Sequence, residues 1–364
     1  MMGVDMKIMN IAVTGYFGSG SSAVIDLLRE YKDSGVVPAI GRTYEHVAFY
    51  YPRGLFDLCT LLSNGNTPQG SDMALNGFID SMNRLNNNNF DWFGSYRKLL
   101  GDGFEEIVNQ FVSDISEKRE GSTSYHVLSS RFSPTKALVQ QVAHLFIKRK
   151  FTTVGKVYKS DHKPVYFSMP TEEELYSAAK RFTAGYFSLF EKYKYNIYDH
   201  LIWPQQVNVH KNCFDDSFRV IVVDRDPRDV FLLSKYYWCK PPIGKGKPHF
   251  GEEVSKFVEE WRKTVVLENT NPNALHIHFE DLIYKYDETI KMIEDFIGLT
   301  PESHINIKSF LIPEKSIENT QAFWASDSWL SEAQFIEKHL PEYLYDYPYK
   351  RVPSIRNMFD TPNR

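Results

Sequence analysis

The sequence predicts an α/β fold, a mostly parallel central sheet with helices on both faces, and three observations carry that prediction. Phe218 to Val223 is a continuous apolar, β-branched run, as a strand buried on both faces requires. Ile11 to Thr14 is a second such run, and it feeds an amphipathic stretch through the turn Gly15-Tyr16-Phe17-Gly18-Ser19-Gly20-Ser21-Ser22. Further strand and helix patterns alternate to the end of the chain, which implies parallel pairing with helical crossovers. With 364 residues, 42% of them hydrophobic, the chain can bury a large core without disulfide or metal staples, and it reads as one domain over 1–364.

The elements follow in order. After the turn, Ser21 to Tyr31 places Ala23, Val24, Leu27 and Leu28 on one helical face, with Ser21 or Ser22 as N-cap. Gly35 to Ile40 is a short strand that ends in the charged cluster Arg42, Glu45 and His46, at the sheet edge where α/β proteins bind ligands. Residues 54–118 keep a helical period through Leu55, Leu58, Leu62, Phe78, Met82, Phe104, Val108, Phe111 and Ile115, and read as a helical insertion or cap. Asn86 to Asn89 interrupts it as a solvated loop. A long helix fits Thr171 to Tyr193, opened by an N-cap Thr and three acidic residues that suit the helix dipole. Strands at Asn196 to Trp203 and Phe218 to Val223, a helix at Val230 to Trp238 and another at Gly251 to Leu267 come next. Then come a strand at Ala274 to Phe279, a helix at Asp287 to Ile297 stopped by Gly298, and a last helix near Ser331 to His339.

Composition narrows the function classes. Cys59, Cys213 and Cys239 show no metal-ligand spacing and read as free thiols in a reducing compartment. Residues 1–10 do not form a signal h-region, and no apolar run approaches the roughly 20 residues of a spanning helix, so a cytoplasmic protein without an integral membrane segment is expected. A formal net charge of −4 gives no reason to expect nucleic acid. His276 and His278 share a strand face, but no third ligand accompanies them and no metal site is expected.

Two motifs carry chemistry. Gly15 and Gly20 have the spacing of a phosphate-binding P-loop, yet Ser21 stands where that motif needs Lys, so backbone N–H groups and hydroxyls would have to hold a 5′ end other than a triphosphate. The buried strand at Phe218 to Val223 runs into Asp224-Arg225-Asp226-Pro227-Arg228-Asp229, which brings two guanidiniums to the carboxyl edge of the sheet. Their planar forks match phosphate oxygens, although Asp226 and Asp229 could instead pair with them at a helix start.

Together with the strand-turn Ile277 to Leu282, these motifs resemble the sulfotransferase family that uses 3′-phosphoadenosine 5′-phosphosulfate (PAPS), in particular bacterial carbohydrate and small-alcohol sulfotransferases. The resemblance spans Ile11 to about Thr320 and implies a P-loop-like sulfotransferase architecture with a helical insertion. It implies that Gly18, Ser19, Gly20, Ser21 and Ser22 hold the 5′-phosphosulfate, that Arg225 and Ser234 hold the 3′-phosphate, and that Lys315 and Ser316 belong to a late basic loop over the nucleotide. Glu280 to Leu282 is architectural in this reading. Two departures stand out. Gly18 replaces the Lys or Arg at the head of the family's loop, leaving Arg42, Lys156 or Lys159 to supply the charge. The family's Ser lies eight residues after the Arg, here Leu233, whereas Ser234 lies nine after, and one residue turns a helix position by about 100°.

The implied reaction moves a sulfuryl group in line from PAPS to a hydroxyl, leaving adenosine 3′,5′-bisphosphate (PAP), with a carbohydrate, glycolipid or sterol-like alcohol as acceptor. Glu45 resembles the placement of the catalytic Glu in some carbohydrate sulfotransferases; His46 is a second candidate base, and an ion pair of Glu45 with Arg42 is the structural alternative. Two other functions stay open, a degenerate P-loop kinase or NTPase and a nucleotide- or glycan-binding protein without turnover.

Overall fold

The computed structural model describes residues 8–37, 46–90, 93–120, 164–190, 192–238, 253–354 and 358. Its central sheet has five strands, β1 (Met9–Gly15), β2 (Ser34–Val36), β3 (Tyr195–Asp199), β4 (Arg219–Asp224) and β5 (Ala274–His278). They lie in the order β2-β3-β1-β4-β5, and every neighbouring pair is parallel, with Ile11 opposite Ile197 on one side and Val13 opposite Ile221 on the other. The order reverses direction at β1, which leaves the turns after β1 and β4 side by side at the carboxyl edge. That is the position at which open α/β sheets bind ligands.

The main helices are α1 (Ser21–Leu28), α2 (Leu55–Ser63), α3 (Pro68–Asn87), α4 (Gly103–Ile115), α5 (Glu172–Ser188), α6 (Pro227–Leu233), α7 (Val254–Thr264), α8 (Tyr286–Ile297) and α9 (Asp327–His339). Side chains alternate across the strands as a two-residue period demands. Ile11, Val13, Ile197, Ile221, Val223 and Ile277 pack under α1 and α8, against Val24, Leu27, Ile293 and Ile297. Ala12, Tyr198, Val220 and Val222 face the opposite layer, where α2, α3, α4 and α5 contribute Phe56, Phe78, Phe111, Phe182 and Tyr186. Both faces are therefore covered by helices, as expected. The segment read as an insertion supplies three helices of the second layer, and α6, α7 and α9 form a third cluster around Phe231, Phe257 and Trp261.

Local signals set most element ends, but several differ from expectation: α1 ends at Leu28 rather than Tyr31, β3 at Asp199 rather than Trp203 and α5 at Ser188 rather than Tyr193, and α9 starts at Asp327 rather than near Ser331. Helix α1 starts at Ser21, but its N-cap is Gly20 at φ +87°, and neither Ser21 nor Ser22 caps it by a side-chain bond. Helix α3 runs through the asparagines to Asn87, because Asn86 is buried and donates to Glu105 at 3.1 Å, so the polar run is a helix end rather than a loop. Helix α6 begins at Pro227, three residues early, and passes into a π turn over Ser234–Trp238. The N-terminus of α5 matches expectation. Thr171 Oγ1 accepts from Glu174 N at 3.2 Å while Glu174 accepts from Thr171 N at 2.8 Å, a reciprocal capping box. Thr171→Ala is expected to lower the stability of the fold by about 1 kcal/mol, read as a shift in the urea midpoint at unchanged slope.

Candidate functional site

The turn after β1 is shaped by three glycines. A Cβ on Gly15 would lie 2.1 Å from Ser19 Oγ and 2.8 Å from Val223 O, so the loop can fold back over β4 only if position 15 carries no side chain. Ser19 N donates to Tyr16 O at 2.9 Å, and Gly18 and Gly20 adopt φ of +78° and +87°, the left-handed region where glycine is unstrained. Ala23 N closes the first helical bond on Gly20 O at 2.9 Å, which leaves the N–H groups of Ser21 and Ser22 as orphan donors at the positive end of α1. A Cβ on Gly20 would lie 2.6 Å from the Phe279 ring, so Phe279 lies against the loop from the β5 side.

Arg225 reaches this loop. It follows β4 directly, and its Nη1 donates to Gly18 O at 3.0 Å while Nη2 donates to Asn319 O. Its guanidinium carbon lies 4.7 Å over the Phe279 ring. Arg225 thus fastens the glycine loop to the segment after residue 313. Buried polar atoms without a hydrogen-bond partner among the described residues include Thr14 Oγ1, Ser19 Oγ, Ser234 Oγ and Arg225 Nε, and also the carboxylate oxygens Asp224 Oδ1 and Glu280 Oε2.

Arg228 does not join Arg225. Three residues further on, in the first turn of α6, it folds back on the helix N-cap, with Nε and Nη2 donating to the two oxygens of Asp226 at 2.9 and 2.6 Å. Burial opposes its charge, and the bond to Asp226 overcomes that and holds its pKa above the ordinary guanidinium value. Of the two guanidiniums expected at the carboxyl edge, Arg228 is therefore taken up by Asp226, which was the structural alternative. The reason is chelation: the Asp that caps the helix also presents a second oxygen to its own Arg.

Behind the arginines lies a group of buried carboxylates that ties down the end of the chain. Asp226 accepts from Tyr345 N at 3.1 Å, and Asp229 accepts from Gln321 N, Ala322 N and Tyr347 Oη, each at 2.8 Å. Glu280 accepts from Asp226 N at 3.0 Å. Burial pushes Asp229 up to about 6, against the opposing charge of Arg225, and burial together with the charge of Asp226 pushes Glu280 up to about 8. Glu280 thus bonds the main chain of this turn through one oxygen, while its second oxygen has no partner among the described residues. A cleft of about 480 Å³ opens on this side of the turn, lined among others by Arg228, Trp324, Tyr345, Tyr347 and Lys350, and the glycine loop does not line it.

The remaining predicted residues are placed unevenly. Ser234 is buried at the junction of α6 with the π turn. Lys315 is exposed on the short helix Pro313–Ser316, and it is the main-chain oxygen of Asn319, rather than Lys315 or Ser316, that touches Arg225. His46 is completely buried, with Nδ1 2.8 Å from Tyr186 Oη and the rings of Phe190 and Tyr198 around it, and burial lowers its pKa to about 3. Burial among aromatic rings and the lowered pKa speak against His46 as a base, although its Nε2 has no partner among the described residues. Glu45, Arg42, Lys156 and Lys159 lie outside the described residues, as does Cys239. Among the described residues no cluster of His, Cys, Asp or Glu could hold a metal ion, and no helix is long and apolar enough to cross a membrane. Sequence reasoning missed Phe279 and Asn319; the first stood in a recognised strand end, whereas a main-chain acceptor leaves no signal.

Comparison with known proteins adds little to this geometry. No family model matches the chain, and no curated protein matches it. Among solved structures, retinol dehydratase in complex with androsterone and the inactive cofactor PAP is similar at 13% identity over 94% of this chain and 82% of that one, with a TM-score of 0.30. That likeness is too slight to carry an argument about the site.

Proposed function

We propose that this chain is a PAPS-dependent sulfotransferase, and the observation that carries the proposal is the bond from Arg225 to Gly18 O, 3.0 Å long. It joins the glycine loop after β1 and the arginine after β4 into one cradle at the carboxyl edge. The partnerless donors Arg225 Nε, Ser19 Oγ and Ser234 Oγ suit an anionic ligand, because each is a buried group whose hydrogen bonding such a ligand would complete. PAPS would supply the sulfuryl group. Ser21 and Ser22 N–H and the loop hydroxyls would hold its 5′ end, and Arg225 with Ser234 the 3′-phosphate. The charge that the family places at Gly18 would come from Arg42, Lys156 or Lys159, since both terminal nitrogens of Arg225 are bonded to the main chain. Glu45 is the proposed base for a hydroxyl of a carbohydrate, glycolipid or sterol-like acceptor, with residues 54–118 as a cap within a single domain.

Ligand-induced stabilisation tests the reading. A nucleotide present at 100 times its Kd adds about 2.7 kcal/mol to the stability of the folded chain. PAP is expected to raise the melting temperature and ATP with magnesium to leave it unchanged. The reverse pattern would replace this reading with a degenerate P-loop NTPase. Incubation with labelled PAPS and panels of glycans and sterols then separates transfer from binding alone.

A further inference from the structure

Two thiols outside the site lie side by side in the core. Cys59, in the second turn of α2, and Cys213, at the end of the short turn Lys211–Cys213, are both fully buried, and their sulfurs are 3.9 Å apart across 154 residues of chain. The backbones on both sides are fixed by neighbours. Phe56 stacks on His210 with ring centroids 4.3 Å apart and meets the Phe214 ring edge-on at 6.1 Å. Thr183 Oγ1 donates to Cys213 O at 3.0 Å. The two side chains therefore meet by construction of the helical layer rather than by free rotation of either.

We propose that Cys59 and Cys213 form an oxidative cross-link site, closing to a disulfide by exchange with a low-molecular-weight disulfide such as oxidised glutathione. The free thiols expected from the sequence are the reduced state of this site. In the first step one cysteine thiolate attacks a sulfur of oxidised glutathione, forms a mixed disulfide and releases one glutathione thiolate. In the second the other cysteine thiolate attacks the protein sulfur of that mixed disulfide and releases the second. Two protein thiols are oxidised, one glutathione disulfide is reduced to two thiols, and the protons lost by the cysteines end on the departing thiolates. The bond to Cys59 and then burial hold the Cys213 thiol well above its ordinary value, so both exchange steps take place while α2 is locally open, and the core then closes over the finished disulfide. A cross-link of this span restricts the unfolded chain strongly. It would staple α2, and the layer built on it, to the chain leading into β4.

The experiment uses the full chain, reduced and then equilibrated with mixtures of oxidised and reduced glutathione at a urea concentration below the unfolding midpoint. Free thiols are blocked by alkylation before digestion and mass spectrometry. The expected result is one reductant-sensitive peptide pair joining Cys59 to Cys213, together with a higher urea midpoint that returns to the starting value on reduction. Cys239 serves as internal comparison and is expected to carry glutathione or the alkylating agent. The Cys213→Ser chain is expected to lose both the peptide pair and the rise in midpoint. Recovery of Cys59 and Cys213 as alkylated or singly glutathionylated peptides while Cys239 has reacted overturns the proposal. So does random pairing that includes Cys239, or a cross-link that lowers the midpoint.

Discussion

Arg225→Ala is expected to remove PAP binding almost entirely. Truncating one member of a buried charge-assisted pair costs about 2–5 kcal/mol, roughly a thirty-fold to several thousand-fold rise in Kd. The residue is 5% exposed and carries the bonds to Gly18 O and Asn319 O together, so its loss both removes the cation and releases the loop from the segment after residue 313. Arg225→Lys is expected to rescue little, because an ammonium cannot span two acceptors as a planar fork does. Calorimetric titration with PAP, after circular dichroism has established that the Arg225→Lys chain is folded, provides the measurement. Affinity unchanged in both variants would end the proposal that this cradle holds the nucleotide.

The second large effect concerns stability rather than ligand. Glu30 lies just beyond α1 with no exposed surface, and its two oxygens accept from His304 Nε2 at 2.7 Å and from the N–H groups of Lys308, Phe310 and Leu311 at 2.8 to 3.0 Å. One carboxylate thus shapes the whole turn from residue 304 to 311. Glu30→Ala leaves three N–H groups and a buried imidazole without their acceptor, and breaking a buried pair in this way is expected to destabilise the fold by about 3–5 kcal/mol. Urea denaturation checks it. A loss within about 0.5 kcal/mol, the size of an ordinary surface change, would mean that water replaces the carboxylate without cost.

Elements whose signal is local were legible from the sequence. The β4 run, the glycine loop, the Thr171 cap and the stop at Gly298 depend on residues within a few positions of one another, and each is observed. That Arg228 and not Arg225 pairs with Asp226 was not legible in the residues themselves, because both follow the same strand and only the helix start decides which of them turns back; the resemblance alone singled out Arg225. Asn86 misled because its polarity is satisfied by Glu105, 19 residues away. Glu30 and His304 are separated by 274 residues, and nothing in the local pattern of either announces the other. The candidate site was readable as far as its two strand-end turns, and its third side, Asn319, was invisible because a carbonyl oxygen belongs to every residue.

The carboxylates behind Arg225 also set an order of events in synthesis. Asp226 waits for its donor on Tyr345, 119 residues downstream, and Asp229 waits for the Tyr347 hydroxyl, 118 residues downstream. At a ribosomal rate of about 10 residues per second, the turn that carries Arg225 spends roughly ten seconds on a nascent chain before those partners exist. In that interval Asp226 already has Arg228 two residues away, while Asp229 lacks the Tyr347 hydroxyl, so the support behind the cradle can be completed only after residue 347 has been made.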